Sequence, residues 1–314
     1  MAILKTAMTL GAAGLLAAPL LVAVAALSGI GHRWPDILAQ FTVPAFSATV
    51  VVVVLCLVLR LPWAAGAGAV VAGLLLIAVW PQWAPGGPRP DLEEPRLTLY
   101  SANLWARNED VDAIARSITA ADADIVVLIE LGDVPAAKAE MLLAAYPHRV
   151  ASRRLDRPTG AERMVIASRY PLTQRSLPKN GLAAIAARAE TPLGPVEVIG
   201  VHMTRPWPFV PQWGQISQVM RLDEAVQGRT APVIVAGDFN SVSSARIGRQ
   251  VKAIGLTPAG GWPGTWPSVL PAPFRVTIDQ VYGSPELAIV ERRLGAPTGS
   301  DHRPVITTFS RVGR

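Results

Sequence analysis

The sequence predicts an α/β domain that follows three apolar membrane helices. Two observations support this: charged residues are scarce at the start of the chain, and the rest alternates short apolar strands with helical segments. Of the 29 basic and 23 acidic residues, only five and four lie in residues 1–96. The mild basic excess of the remainder suits an anionic substrate but is too small to indicate nucleic acid alone. The single cysteine, Cys56, excludes an intrachain disulfide scaffold and a cysteine-based zinc site.

The first apolar stretch, residues 7–30, contains no charge and is long enough to span a bilayer. A cleavable signal peptide is the alternative, because Lys5 could form its basic start and the stretch is rich in alanine. Its apolar core is longer than that of a usual signal peptide, however, and two more apolar runs follow at residues 43–59 and 64–80. We therefore predict a multi-pass anchor in the cell membrane over residues 1–80.

The orientation of this anchor follows from its few basic residues. Lys5 and Arg60 would share one side of the membrane, while Arg33 and the chain beyond Trp80 would share the other. These charges are nearly balanced, and we favour a cytoplasmic N-terminus with the domain outside the cytoplasm. Residues 81–96, PQWAPGGPRPDLEEPR, are predicted to be a Pro/Gly-rich linker without helix, and residues 97–314 to be the domain.

Within the domain, the apolar pattern predicts helices and strands in alternation. Residues 110–121 place Val111, Ile114 and Ile118 on one helical face, and residues 136–145 and 215–227 are also predicted to be helical. Apolar runs predict strands at residues 97–101, 123–129, 164–168, 183–190, 196–201, 233–236, 277–282 and 305–309.

Residues 232–241, PVIVAGDFNS, combine a strand signal with polar groups. Four apolar residues predict a buried strand that breaks at Gly237, and Asp238 and Asn240 follow. Residues two apart on a strand point to the same side, and oxygen-bearing side chains at the end of a rigid strand suit a Mg²⁺ ion or a phosphate. A strand followed by an Asx-type turn would explain the same residues without any site.

Polar residues recur where other predicted strands end. Asn103, Glu130 and His202 each follow an apolar run, and Asp301 and His302 precede the last strand. Each one alone has a structural explanation, such as a helix cap, a turn or a buried histidine with satisfied hydrogen bonds. Their shared position at strand ends favours an active site, because active sites tend to lie on loops at the tips of rigid sheets.

These residues, in this order, resemble the endonuclease/exonuclease/phosphatase superfamily, which includes pancreatic-type deoxyribonuclease, neutral sphingomyelinases and inositol polyphosphate 5-phosphatases. The resemblance covers essentially all of residues 97–314 and rests on SANLW, VLIELGD, MVIASRYPL, VIGVHM, GDFNS, the Ile278-Asp279 pair and SDHRPV. It implies a metal-dependent phosphoesterase built as a four-layer α/β sandwich, in which two packed mixed β-sheets are flanked by helices. One position departs from the pattern: Gln280 stands where family members often have histidine. The family pattern therefore does not predict the hydrogen bonds around this residue.

The resemblance implies a bound Mg²⁺ ion, with Mn²⁺ as the alternative. Glu130 matches the principal ligand of the ion, and Asn103 and Asp301 match residues close to the ion or to its waters. A divalent ion neutralises the charge that develops on a phosphate group during hydrolysis.

The resemblance also implies the catalytic groups. His302 matches the histidine at the scissile phosphate, which is either a general base or a group that stabilises the phosphate, and Asp279 would fix its tautomer. Asp238 matches the residue that orients or deprotonates the attacking water. The groups that hold the phosphoryl oxygens are matched by Asn240 and His202.

The anchor and the domain together resemble actinobacterial membrane proteins linked to teicoplanin resistance, whose domain faces outward. This architectural resemblance implies a phosphorylated lipid or a cell-envelope intermediate as the substrate. Tryptophans near the motifs suit loops that dip into a membrane surface, but they equally suit loops packed on themselves; they are Trp207, Trp213, Trp262 and Trp266.

Two other functions stay open. A membrane-tethered nuclease would need basic contacts along a nucleic-acid backbone, and Arg153, Arg154 and Arg157 form a cluster that suits nucleic acid or an anionic lipid. A non-catalytic membrane binding module would be expected to have lost at least one of Glu130, Asp238 or His302. The complete set therefore favours an enzyme.

Overall fold

The structure is a computed structural model that describes residues 2–91, 93–156, 158, 163–177, 181–206 and 212–313. Four helices come first: α1 (Ala2–Leu27), α2 (Arg33–Ala39), α3 (Thr42–Val58) and α4 (Pro62–Trp83). α1 and α4 are each long and apolar enough to cross a membrane. α2 and α3 meet at a bend of 56° and are long and apolar enough as a pair, so the described residues contain two or three candidate spans.

The first sheet consists of β1 (Leu97–Asn103), β2 (Ile125–Leu131), β3 (His148–Ala151), β4 (Arg163–Ser168), β11 (Leu287–Leu294) and β12 (Val305–Arg311). Its strand order is β11–β12–β1–β2–β4–β3. β1 and β2 pair in parallel, and the other neighbours are antiparallel.

The second sheet consists of β5 (Leu172–Arg175), β6 (Ala184–Thr191), β7 (Gly194–His202), β8 (Val233–Asp238), β9 (Thr257–Pro258) and β10 (Asp279–Gly283). Its strand order is β5–β6–β7–β8–β10–β9. Here β7 and β8 are the parallel pair, and the other neighbours are antiparallel.

The two sheets pack face to face through apolar side chains such as Ile129, Val198 and Val281. The outer face of the first sheet is covered by α5 (Val111–Ala121), α6 (Asp133–Ala137) and α7 (Ala139–Leu142). The outer face of the second is covered by α8 (Trp213–Gln227) and α9 (Arg246–Ala253). This arrangement confirms the predicted four-layer sandwich. The apolar pattern missed α2, α9 and the strands β3, β5, β9 and β11.

The structure corrects the predicted linker and one predicted helix. α4 continues through Pro81 to Trp83, so the first three residues of the predicted linker are helical. Gln82 is fully buried against the rest of the chain, and this packing outweighs the helix-breaking tendency of Pro81. The predicted helix at residues 136–145 is instead α6 and α7, because Pro135 is accepted in the first turn of α6 and Lys138 leaves helical geometry.

The N-terminal helices are docked on the sandwich through buried polar contacts. The carboxylate of Asp36 in α2 accepts hydrogen bonds from the backbone amide of Arg246 at 2.7 Å and from the side chain of Gln212. Arg246 also donates to the carbonyl oxygen of Gly31 at 2.8 Å. α2 therefore lies against the start of α9, on the side of the second sheet.

Candidate active site

Three of the predicted site residues stand side by side on the second sheet. β7 runs parallel to β8 and places His202 opposite Asp238. β10 runs antiparallel to β8 and places Asp279 opposite the other side of Asp238. The sequence located these residues near strand ends, and the strand order makes them neighbours.

The first sheet contributes Asn103 at the end of β1 and Glu130 near the end of its parallel neighbour β2. Glu130 has φ 55°, and the pairing of β2 with β4 shifts register around it, so the strand bulges at this residue. A bulge redirects a side chain, and a positive φ at a residue other than glycine is often found at functional sites. Two residues later the chain requires glycine, because a Cβ at Gly132 would lie 2.2 Å from the carbonyl oxygen of Ala106.

The side-chain amide of Asn103 connects the two sheets. Its Nδ2 donates to Glu130 Oε1 at 2.8 Å and to Asp238 Oδ2 at 3.1 Å, while its oxygen accepts from the backbone amide of Trp105. His202 Nε2 lies 3.4 Å from Glu130 Oε1 and 3.9 Å from Asp238 Oδ2. Glu130 and Asp238, from different sheets, are thus held together by one amide nitrogen, with an imidazole beside them.

The GDFNS segment leaves its strand at Asp238. Gly237 has φ 144°, and a Cβ there would lie 2.0 Å from the carbonyl oxygen of Val201, so only glycine fits. Asn240 has φ 47°, and its backbone amide donates to Asp238 Oδ1 at 2.8 Å, which forms an Asx turn. Asn240 Nδ2 also donates to Asp238 Oδ2 at 3.2 Å. The turn, and not the alternation of a strand, brings the two side chains together.

His302 pairs with Asp279 on the far side of Asp238. Its Nδ1 lies 3.1 and 2.9 Å from the two carboxylate oxygens of Asp279, and both side chains are buried. Burial on its own lowers the pKa of His302, but the charge and hydrogen bond of Asp279, with the charge of Asp238 beyond it, outweigh burial and raise the pKa to about 10. In the metal-free protein His302 is therefore protonated at neutral pH.

Asp238 titrates close to neutral pH. Burial raises its pKa to about 6, the positive charge of His302 opposes this rise, and the charge of Asp279 adds to it. A carboxyl group with a pKa in this range can accept a proton from water at neutral pH.

Asp301 lies at the rim of the site, beside His302. Its Oδ2 accepts from Trp266 Nε1 at 3.0 Å, and its Oδ1 lies 3.9 Å from His302 Nε2. The Asp301 side chain is about half exposed, and it belongs to neither of the carboxylate–histidine groups that could hold a metal ion.

Two groups of carboxylate and histidine side chains among the described residues could hold a metal ion. The first is Glu130, His202 and Asp238, and the second is Asp238, Asp279 and His302. In each group the candidate ligand atoms lie within 4.8 Å of one another. Both groups have two carboxylates, whose oxygens are the ligands that Mg²⁺ and Mn²⁺ prefer, but only the first is open to solvent, at Glu130 and His202. In the second group, His302 Nδ1 is already paired with Asp279. The first group therefore fits a divalent ion better.

Two cavities meet at Glu130 and His202. The anchor-side pocket has a volume of about 530 Å³, and it also contains Asp238, Asn240, Asp301 and His302. Part of its wall comes from the N-terminal helices, through Ile37, Gln40 and Phe41. The outer cleft has a volume of about 1230 Å³, and its charged lining residues besides Glu130 are Arg107, Glu109, Asp133 and Arg153.

Two buried glutamines connect the N-terminal helices to the segments that hold the site. Gln40 accepts a hydrogen bond from the backbone amide of Val242, directly after GDFNS, at 2.7 Å. Gln82 donates to Thr277 Oγ1, two residues before Asp279, at 3.2 Å. Sequence reasoning missed both residues, and their only signal was a polar amide next to long apolar runs.

Gln280, the departure from the family pattern, is also buried between these segments. Its side-chain nitrogen donates to the carbonyl oxygens of Ser241 at 3.0 Å and of Thr277 at 2.7 Å. The amide therefore holds the GDFNS segment against the segment before Asp279, which answers the question that the substitution left open.

The tryptophans have different surroundings. Trp266 lines the anchor-side pocket, while Trp262 packs edge-on against Trp83 at the end of α4, with 5.7 Å between ring centroids. Trp213 is exposed at the start of α8, and Trp207 lies outside the described residues.

The predicted basic cluster is only partly described. Arg153 lines the outer cleft, and Arg154 forms an exposed ion pair with Asp156. Arg157 lies outside the described residues.

Comparisons with known proteins agree with this geometry. Residues 100–302 match the model of the Endonuclease/Exonuclease/phosphatase family. No curated protein matches the chain. Among solved structures, a protein of this family from Beutenbergia cavernae is 22% identical, with a TM-score of 0.54 over 69% of this chain and 72% of its own.

Two further structures illustrate the range of this fold. TDP2 from D. rerio, complexed with a single-strand DNA product, is 15% identical, with a TM-score of 0.53 over 69% of this chain and 100% of its own. A mannosyl-6-phosphatase from Bacteroides thetaiotaomicron is 17% identical, with a TM-score of 0.53 over 68% of this chain and 99% of its own. At these identities the likeness shows a shared fold.

Proposed function

The chain belongs to the endonuclease/exonuclease/phosphatase family, and from that premise we propose that it is a membrane-anchored enzyme that hydrolyses a lipid-linked or cell-envelope phosphate ester. Members of the family are metal-dependent hydrolases that act on phosphoester bonds. The choice of a lipid-linked substrate rests on one observation: residues of the N-terminal helices form part of the pocket that contains Asp238 and His302.

The wall of this pocket supports an amphiphilic substrate. Ile37 and Phe41 line it together with Trp266 and Ile278, and the acidic and histidine side chains of the site line it as well. A pocket with an apolar wall and a few convergent polar groups suits a ligand that has both characters. A phosphate attached to a hydrocarbon chain is such a ligand.

We propose that Glu130 holds the divalent ion, Mg²⁺ or Mn²⁺, with His202 and Asp238 beside it. When bound, the ion would neutralise charge on the phosphate. Asn103 would hold the two carboxylates in position through its amide nitrogen. The predicted place of Asp301 near the ion or its waters stays a prediction.

The pKa values favour one of the two roles open to His302. A protonated His302 would hold a phosphate oxygen through Nε2–H instead of acting as the base, and Asp279 would keep that proton arrangement fixed. Asp238 would orient the attacking water and accept its proton. The remaining donor to the phosphoryl oxygens would be His202. The same role for Asn240 stays a prediction, because its side-chain nitrogen already donates to the carbonyl oxygen of Met203 and to Asp238 Oδ2.

A membrane-tethered nuclease is the second candidate, and the outer cleft favours it. This cleft is larger than the anchor-side pocket, and Arg107 and Arg153 in its lining could contact a nucleic-acid backbone. TDP2, which shares the fold, has been solved with a single-strand DNA product. The acidic residues Glu109 and Asp133 in the same lining reduce the positive potential and count against this candidate.

The test uses the full chain in detergent, with Mg²⁺ or with EDTA. The substrates would be an isoprenoid phosphate, a glycerophospholipid, plasmid DNA and a water-soluble bis-aryl phosphodiester. We expect release from a lipid substrate that requires both Mg²⁺ and His302, so that His302→Ala is inactive while His148→Ala on β3 remains active. Nicking of plasmid DNA under the same requirements would identify a nuclease, and folded protein that is inactive on every substrate would favour a binding module.

We also propose that the domain faces the outside of the cell. The segment around α2 and the end of α4 both contact the same part of the sandwich, so both ends of the α3–α4 hairpin would lie on the side of the domain. α1 would then begin on the opposite side of the membrane, the side on which Lys5 and Arg60 would both lie. A phosphatase reporter fused to the C-terminus should be active in intact cells; an inactive phosphatase with a fluorescent cytoplasmic reporter would reverse the orientation.

A further inference from the structure

The anchor-side pocket has an apolar loop at its rim. Residues 268–274, SVLPAPF, contain no charge and lie between Trp266, which lines the pocket, and Arg275. The side chain of Val269 is 85% exposed, and Leu270 and Phe274 are also exposed. Neighbouring exposed apolar side chains of this kind indicate a surface that meets an apolar partner.

The position of this rim loop identifies the partner. The 3₁₀ turn at its end, Ala272–Phe274, lies against α3. α3 exposes a series of apolar side chains, among them Val50, Val51 and Val54, which would face lipid in the proposed anchor. The rim loop therefore adjoins a surface that is itself suited to the hydrocarbon of a bilayer.

The backbone of the rim loop suits a poorly hydrated environment. Three of the eight residues 267–274 are prolines, which have no N–H to satisfy. The amides of Leu270 and Phe274 donate within the loop, and the guanidinium of Arg275 donates to the carbonyl oxygens of Ser268 and Leu270 at 2.9 and 2.6 Å. Backbone groups that are already paired cost less to transfer from water.

The rim loop is also fastened to the segment that contains His302. The backbone amide of Ser268 donates to the carbonyl oxygen of Asp301 at 2.7 Å, and its hydroxyl donates to the carbonyl oxygen of Ser300 at 2.9 Å. Trp266 donates to the carboxylate of Asp301. The height of this loop relative to the bilayer therefore sets the height of His302.

We propose that residues 269–274 insert into the interfacial layer of the bilayer beside α3, so that the anchor-side pocket opens onto lipid instead of bulk water. The partner surface is the bilayer itself. The inference rests on the proposed membrane anchor and extends the proposed function: a lipid phosphate reaches the site from within its own leaflet, with its hydrocarbon chain between α2 and the rim loop.

The first test measures depth and needs no catalysis. In full-length protein with Cys56→Ala, a fluorophore is placed at Val269→Cys or, as a control, at Met141→Cys, an exposed apolar position on α7. The protein is reconstituted into phosphatidylcholine vesicles with a minority of phosphatidylglycerol and nitroxide-labelled lipids. We expect lipid nitroxides to quench the label at position 269 and aqueous iodide to quench the label at 141. Equal iodide quenching at both positions would overturn the proposal.

The second test distinguishes an effect of the rim loop on access to lipid from an effect on the hydrolysis step itself. In the same vesicles, Val269→Asp should lower hydrolysis of the lipid substrate by about fivefold, since a charge is disfavoured at the membrane interface. Hydrolysis of the water-soluble bis-aryl phosphodiester should not change. An equal loss on both substrates would contradict the proposal. Inactivity of the unmodified protein on lipid, together with lipid quenching at position 269, would refute the proposed substrate and leave the insertion standing.

Discussion

The anchor-side pocket and the outer cleft share Glu130 and His202 but differ in their walls. The anchor-side pocket is the smaller of the two, and its wall includes apolar side chains from α2 and from the turn after it. The outer cleft is lined by charged groups of both signs that come from residues 106–202. A substrate bound where the two cavities meet could therefore contact the N-terminal helices in one cavity and residues 106–109 and 152–153 in the other. Of these two cavities, only the anchor-side pocket would bring a substrate against the N-terminal helices, as the proposed lipid-linked substrate requires.

Removal of the Glu130 charge, where the two cavities meet, should have the largest effect on turnover, for lipid and water-soluble substrates alike. Glu130→Gln keeps the size of the side chain but removes the charge that would hold the metal ion. We expect turnover of lipid and water-soluble substrates to fall by at least about a hundredfold, as for the loss of a main electrostatic contributor. Glu140→Gln on α7, a change of the same chemistry at an exposed site, should leave turnover intact. A Glu130→Gln enzyme with normal turnover would refute the site.

The Asp279–His302 pair should be the next most sensitive feature. Asp279→Asn removes the largest of the charges that raise the pKa of His302, so that pKa should fall from about 10 towards the ordinary value of about 6.5. Turnover should fall by about a hundredfold because a neutral His302 no longer stabilises the phosphate. NMR of the imidazole in metal-free protein gives the pKa; an unchanged value would show that Asp279 does not control His302.

The same pair gives a signed prediction for stability in metal-free protein. The pKa of His302 is raised to about 10 in the folded state, so the pair stabilises the fold fully below about pH 6.5. That contribution is lost as pH rises through about 10. Asp279→Asn should therefore lower the unfolding temperature most in mild acid and least above pH 10, and the opposite order would contradict the assigned charge state.

A change in the wall of the anchor-side pocket should affect hydrolysis of the lipid substrate more than hydrolysis of the water-soluble one. Phe41→Ala removes an aromatic side chain from the anchor-side pocket and should lower kcat/KM for the lipid substrate by about tenfold, as expected for lost apolar contacts. The bis-aryl phosphodiester should be affected less. Val134→Ala, a smaller apolar truncation in the lining of the outer cleft, should leave the lipid preference unchanged. Equal losses for Phe41→Ala on both substrates would show that this wall does not select for lipid.

The sequence predicted which strand ends bear the candidate site residues better than it predicted their surroundings, for a physical reason. Asp238 and His202 follow buried apolar runs, and such local patterns are visible without knowledge of the fold. The bulge at Glu130 and the turn at Asn240 depend on backbone conformations that pairing and packing impose. The contacts of Gln40 and Gln82 join residues about 200 positions apart, and no local pattern specifies such pairs.

The contact between Gln82 and Thr277 predicts that the site depends on the N-terminal helices. Gln82→Leu removes the hydrogen bonds of this side chain to the hydroxyls of Thr277 and Ser244, and we expect a loss of about 1–3 kcal/mol in the free energy of unfolding. Because Thr277 lies two residues before Asp279, turnover should also fall. Thermal unfolding in detergent measures the first effect, and Gln227→Leu on the exposed face of α8 is the control. Equal stabilities of the two variants would show that this contact is not needed.

The smallest expected effect lies in the outer cleft. Arg153 is exposed, so Arg153→Ala should weaken binding of a substrate with an anionic headgroup by no more than about fivefold, because solvent-exposed charge pairs contribute about 0–1 kcal/mol. The loss should shrink at higher salt and be absent for a substrate with a neutral headgroup. Comparison of KM for the two headgroups at low and high salt measures this. A large, salt-sensitive loss on DNA instead would assign the outer cleft to a nucleic-acid strand and make the tethered nuclease the better description.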